Sequence, residues 1–162
     1  MFRTLLAILC LTSTCLAQQW DVEKMFEERN LGPVAALLAK GDYELVARIG
    51  EAAVEKGLKA AEWRIMRYKA LAELGQIEAA LAEASEALKS YPDNLELLML
   101  RHELAAQQGL DEVKKDALTR LNAAAKAKAP KDRTALDLVS LGKAAVVLGA
   151  DAQKVIAQYF KA

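Results

Sequence analysis

Three glycines, Gly41, Gly75 and Gly109, recur at one fixed interval along the chain. Each lies between two amphipathic stretches, and a glutamate follows three positions later, at Glu44, Glu78 and Glu112. Glycine within a helix costs about 1 kcal/mol relative to alanine, whereas at a helix end it adopts the left-handed conformation without strain. An acidic residue in the next first turn complements the helix dipole. The period therefore predicts helix–turn–helix units, each turning at one of these glycines.

The second helix of each predicted unit carries small residues at helical spacing. After Gly75 they are Ala80, Ala84 and Ala87, and after Gly41 they are Ala47, Gly50 and Ala53. Small side chains on one face allow two helices to cross closely. Pro92 then ends the helix, because proline disfavours a helical conformation in the residue before it.

This pattern resembles the tetratricopeptide repeat (TPR) family, whose unit length matches the interval between the glycines. The best match is residues 61–94, with Ala80, Ala84, Ala87 and Pro92 in register, although Arg67 stands where the family has glycine. The last unit supplies Leu138, Leu141, Gly142 and Ala145 at the family's spacing, with Gly149 as its turn glycine. The resemblance covers about residues 27–150. It implies an all-α fold: a right-handed α–α superhelix, or TPR-like solenoid, of about three to four helix–turn–helix repeats.

The repeats are expected near residues 27–60, 61–94, 95–130 and 133–162, forming one domain over residues 33–162. Gly149 follows Gly109 at a spacing six positions longer than the period, and the Ala/Lys run before Pro130 is expected to extend a helix by that excess. Gly32-Pro33 interrupts the first unit, so residues 18–32 are interpreted as an N-terminal capping helix. Terminal repeats are commonly atypical in this way.

The segment 1–17 has the features of a signal peptide cleaved after Ala17. It combines a basic Arg3, a short apolar core and small residues at the cleavage site, and it contains both cysteines, Cys10 and Cys15. We therefore expect an exported chain, periplasmic or extracellular, without a later membrane span. Two alternatives are a first helix packed on the domain and a lipoprotein anchored through Cys15, but the residues before Cys15 fit a lipobox poorly.

The sequence contains no recognisable catalytic constellation. His102 is the only histidine, and "HELAA" lacks the second ligand of the zinc motif H-E-x-x-H because Ala106 occupies that position. Glycine-rich phosphate loops and the G-x-S-x-G elbow do not occur. The 22 basic and 22 acidic residues balance, which argues against a nucleic-acid surface. The expectation is a non-enzyme without metal or cofactor, and without nucleic acid as a partner.

The candidate partner-binding surface is a groove formed by the first helix of each repeat. The resemblance implies that its lining positions are an apolar residue ten positions before the turn glycine, an acid three positions earlier, and a residue four positions later. The candidate residues are Leu31, Glu62, Ile65, Lys69, Glu96, Met99, Glu103, Val139 and Lys143. The alternative interpretation is that the apolar members pack between neighbouring helices and the acids are ordinary helix N-terminal charges.

The function predicted from these features is a scaffold that binds a peptide or a partner protein in its concave groove. One alternative is that the chain is the N-terminal segment of a larger exported protein, such as an enzyme. Another is self-association through the C-terminal helix, whose apolar side carries Val155, Ile156, Tyr159 and Phe160.

Overall fold

The computed structural model describes residues 25–26 and 30–159. Eight α-helices follow one another within residues 30–159, and no strand occurs among the described residues, so the described chain is all-α. The helices are α1 (Gly32–Lys40), α2 (Tyr43–Glu55), α3 (Ala61–Glu73), α4 (Ile77–Ser90), α5 (Leu95–Gln107), α6 (Asp111–Ala127), α7 (Ala135–Val147) and α8 (Ala152–Tyr159). They pair as four hairpins, and each hairpin lies within one of the four predicted repeat ranges.

The four turn glycines predicted from the sequence are confirmed. Gly41, Gly75, Gly109 and Gly149 have φ angles of 87°, 71°, 68° and 89°, the left-handed conformation that favours glycine. At the second turn, the N–H of Gly75 donates to the carbonyl of Ala72, and the next N–H donates back to Leu71. This pattern satisfies the last carbonyls of α3 and reverses the chain into α4. Gly57, which the period did not indicate, ends α2 in the same way at φ 73°.

The longer third hairpin follows the expectation for the Ala/Lys run. Helix α6 extends over 17 residues, and a short 3₁₀ turn at Pro130–Asp132 follows it. Helix α7 then begins with a capping box, in which the Thr134 side chain accepts from the Asp137 N–H and Asp137 accepts from the Thr134 N–H. Two donors at the start of α7 are thereby satisfied. Lys128, just beyond α6, adds an ion pair to Asp137 at 2.6 Å.

The start of α7 should make the stability of the protein pH-dependent. Burial raises the pKa of Asp137, but hydrogen bonds from Lys128 and Thr134 outweigh burial, and the pKa lies below its ordinary value. The charged form therefore stabilises the fold above the unfolded-state pKa of about 3.9, and this contribution is lost as the pH falls through the lower folded-state pKa.

We expect Asp137→Asn to cost about 1 kcal/mol near pH 7, the usual value of a capping interaction. The difference between variant and wild type should shrink as the pH falls below about 4. Urea titrations of both proteins at several pH values measure this difference in the free energy of unfolding. The contributions of the other carboxylates cancel in the difference, because both proteins share them. Two curves that stay parallel from pH 7 to pH 3 would refute this role of Asp137.

Consecutive helices contact one another from α1 to α6, and the last hairpin stacks on the third through packing of α7 on α5. One core surrounds Trp63 and includes Val34, Val46 and Ile49, with the aromatic ring of Phe26 edge-on to Trp63 at 5.3 Å between centroids. A second core is built from the leucines of α5 together with α4, α6 and α7. Met25 and Phe26 are helical and buried, whereas the rest of the predicted capping segment before residue 30, like the predicted signal peptide, lies outside the described residues.

Small residues bring α2, α3 and α4 close together, as predicted. Ala80, Ala84 and Ala87 are fully buried, and a Cβ atom on Gly50 would lie 2.6 Å from Cβ of Arg67. Above this crossing, Glu83 accepts hydrogen bonds from Arg64 and Arg67, each at 2.8 Å. The ion pairs orient α3 against α4, and the hairpins that follow are positioned by this packing.

Candidate functional site

The first helices of the last three hairpins, α3, α5 and α7, are joined side by side by polar contacts. The Tyr68 hydroxyl donates to the Leu100 carbonyl at 2.7 Å. Burial, with the nearby charge of Glu103, raises the pKa of Tyr68, so this hydroxyl stays a donor throughout the physiological range. Ion pairs connect Lys69 of α3 to Glu96 of α5 at 2.8 Å, and Lys143 of α7 to Glu103 of α5 at 2.9 Å. The three helices therefore present one connected surface.

Six of the nine candidate residues meet in one cleft of about 190 Å³ on this surface. They are Lys69, Glu96, Met99, Glu103, Val139 and Lys143. Their charged members are already paired with one another across the helix seams. Residues predicted from the period therefore lie together on one surface, and their charges join the neighbouring helices.

The other candidates lie elsewhere. Leu31 precedes α1 and packs against the core around Trp63, and Glu62 is an exposed residue in the first turn of α3. Neither is among the residues that line the cleft.

Burial corrects the interpretation of two apolar candidates. Ile65 is 4% exposed and Met99 is 2% exposed, and both belong to the core built around α5. The neighbouring helices cover these side chains, so for them the alternative interpretation, packing between leading helices, applies. Glutamates at both positions would place two charges in the core and destabilise the fold. Such a double substitution therefore cannot separate binding from folding.

A larger apolar groove of about 570 Å³ adjoins the cleft and shares Met99, Glu103 and Lys143 with it. Its walls are the C-terminal halves of α5 and α7 and the first residues of α8. Val146, Val147 and Ile156 line it and are each about half exposed. These three residues were not among those predicted to line a groove. The sequence feature that could have indicated Val146 and Val147 is their position three and four residues after Lys143, on the same face of the helix.

His102 forms part of the wall of this groove. The side chain is buried, and its Nδ1 lies 3.0 Å from the carbonyl oxygen of Lys114 on α6. A carbonyl oxygen can only accept, so Nδ1 carries the proton and donates. The imidazole therefore ties α5 to α6.

The chemistry available at this surface is apolar contact framed by ion pairs. Among the described residues, no group of three histidine, cysteine or carboxylate side chains is placed to hold a metal ion. None of the described helices combines the length and the apolar character required for a membrane span. Comparisons with protein-family models, with curated proteins and with solved structures found no match to this chain.

Proposed function

We propose that this chain is a non-enzymatic interaction module, an exported TPR-like solenoid that binds a peptide or a partner protein. The binding surface is the apolar groove between α5, α7 and α8, continued by the cleft between α3, α5 and α7. The predicted signal peptide supports the proposed export. The repeated hairpins with left-handed turn glycines support the TPR-like architecture.

The observation that carries the proposal is the exposure of large apolar side chains along the groove. The side chains of Val146, Val147 and Ile156 are about half exposed, whereas the neighbouring Val155 is buried. Single exposed apolar residues are ordinary on protein surfaces, but several lining one concavity mark a binding site. Grooves of about 300–1,000 Å³ with apolar walls and few polar groups are typical of ligand sites, and this one has about 570 Å³.

The charged residues near the groove support binding rather than catalysis. Lys143 and Glu103 form an ion pair, as do Lys69 and Glu96, so each charge has a structural partner. Such pairs on the polar rim of an interface contribute more to orientation and specificity than to affinity. An apolar floor with a paired, charged rim is the composition of a protein-binding surface.

The test is affinity capture by the mature chain from the envelope fraction of its own cells, with identification of the captured protein by mass spectrometry. Val146→Glu and Ile156→Glu should each reduce capture by more than about tenfold, because a charge in a desolvated interface costs at least about 1–2 kcal/mol. Leu110→Glu is the matched control, since Leu110 is also an exposed apolar residue but does not line the groove.

Circular dichroism and urea denaturation should show the same helicity and stability for all three variants, because the substituted residues are exposed. A partner captured equally by wild type and by both groove variants would overturn the assignment of the groove. Loss of capture with Leu110→Glu alone would move the binding surface to the start of α6.

A further inference from the structure

The face of α7 that lines the groove and the cleft differs in composition from the same face of α3 and α5. At three equivalent positions α7 carries large apolar residues where α3 and α5 carry polar or small ones. Leu136 corresponds to Glu62 and Glu96, Val146 to Ala72 and Ala106, and Val147 to Glu73 and Gln107. The polar or small residues of α3 and α5 show that an exposed face at these three positions does not require large apolar side chains. The apolar residues of α7 therefore indicate a face that is covered in the working protein.

The exposure of a further equivalent position supports this conclusion. Ile65 of α3 and Met99 of α5 are buried, whereas Val139 of α7 is 36% exposed and Leu136 beside it is 54% exposed. Within residues 30–159, no other helix covers these two side chains as α5 and α7 cover the earlier ones.

The earlier leading helices indicate the shape of the occupant, because their equivalent faces have the same spacing as α7. Leu136, Val139, Lys143, Val146 and Val147, here called the α7 stripe, include four positions whose successive spacings are three, four and three. This is the heptad spacing of a helix that packs lengthwise against another helix. The equivalent face of α3 is joined to α5, and that of α5 packs against α7, so in this repeat the element that lies along such a face is a helix.

The charge of the stripe identifies the chemistry of the occupant. Lys143 occupies a seam position, and its side chain remains 49% exposed although Nζ contacts Glu103. An ammonium group has three donors, so a second carboxylate can bind to it. The structure contains a precedent, because Lys69 occupies the same position on α3 and pairs with Glu96 of the adjacent helix.

A second copy of this chain would match the α7 stripe poorly. The stripe carries one lysine and no acidic residue. Parallel pairing of two stripes would place the two lysines opposite each other, and antiparallel pairing would place each lysine against apolar side chains. Like charges in register disfavour such pairing.

From these observations we propose that the partner contributes an amphipathic α-helix, which packs along the α7 stripe and directs an acidic side chain to Lys143. This inference rests on the proposed function and specifies the class of its partner. The helix contacts Leu136, Val139, Val146 and Val147 with its apolar side, while its carboxylate accepts from Nζ of Lys143.

The test uses the full chain and a fluorescein-labelled helical peptide, stapled on its outer face, with leucines at heptad spacing and one glutamate opposite Lys143. Fluorescence anisotropy should give a Kd on the order of 10–100 µM. A peptide with lysine in place of that glutamate should bind about two- to fivefold more weakly, the usual worth of an exposed ion pair. Lys143→Glu should reverse the preference, and Lys143→Gln should abolish it. Val146→Glu should weaken binding of both peptides by more than about tenfold.

Four results would overturn the proposal, the last of them dimerisation. The first is absence of binding by the glutamate peptide, and the second is a preference unchanged by Lys143→Glu. The third is equal binding by an unstapled peptide of the same composition with two prolines, which would indicate an extended ligand. A concentration-dependent dimer that Val146→Glu disrupts would identify a second copy as the occupant instead. If groove-dependent capture from the envelope persists while the peptides fail, the proposed function stands and only the helical class of the partner is wrong.

Discussion

Replacement of Trp63 by alanine should destabilise the protein by about 3–5 kcal/mol, the usual cost of deleting a large aromatic residue from a core. Trp63 is 1% exposed, contacts Phe26 edge-on, and lies at the centre of the core shared by α1, α2 and α3. The core residues around Trp63, which include Val34, Ile49 and Ala70, are fixed in their helices. They therefore cannot fill the cavity left by the indole ring completely. The loss is a large part of the roughly 5–15 kcal/mol that typically stabilises a domain.

Urea denaturation followed by circular dichroism measures this loss. The matched control is Leu136→Ala, which also truncates a large apolar residue of a leading helix but at an exposed position, and it should stay within about 0.5 kcal/mol of wild type. A Trp63→Ala protein with a loss below about 1 kcal/mol, far under the range for core aromatics, would show that the ring does not organise the N-terminal core.

Substitution of Gly50 by valine should cost about 3 kcal/mol or more, the upper range for overpacking a core. The new Cβ would lie 2.6 Å from Cβ of Arg67, and 3.2 Å from both the Arg67 Cα and the Trp63 carbonyl oxygen. These atoms belong to the body of α3 and cannot rotate aside. The two helices must therefore separate, and the ion pairs of Arg67 with Glu51 and Glu83 would be strained as well.

A graded series distinguishes crowding from helix propensity. Gly50→Ala should also destabilise, although alanine is the better helix former by about 1 kcal/mol. Ala79→Val, at an exposed position of α4, is the control for a β-branched residue and should cost only about 0.5 kcal/mol. If Gly50→Ala stabilised the protein, the close approach of α2 and α3 would not be a constraint in solution.

The period of the glycines was sufficient to predict the hairpins, because a helix end needs a residue that tolerates positive φ and this requirement is local. Gly41, Gly75, Gly109 and Gly149 satisfy it in order. The end of α2 at Gly57 was not indicated by the repeat, since it lies between hairpins and has no counterpart at the same spacing. The extension of α6 followed from local composition up to Pro130 in the same manner.

The candidate surface was only partly predictable. Helical spacing showed that Ile65, Met99 and Val139 share one face of their helices, but it could not show which of them a neighbouring helix covers. That outcome depends on where α7 lies, and α7 follows a connection that is longer than the period allows. Exposure of Val146 and Val147 depends on the same tertiary placement. The ion pair between Lys69 and Glu96 could not be predicted from the sequence either, because it depends on the distance between two separate helices.

The position of the last hairpin has a consequence for how binding and folding are connected. Helix α3 contributes residues both to the core around Trp63 and to the core built around α5, so the first hairpins lose their packing together. The hairpin of α7 and α8 reaches the rest of the chain mainly through α5. An element held by few contacts opens locally at a lower free energy than the packed core. The groove walls belong to that element, so an occupant that bridges α5 and α7 would suppress this local opening and protect the C-terminal end from proteolysis.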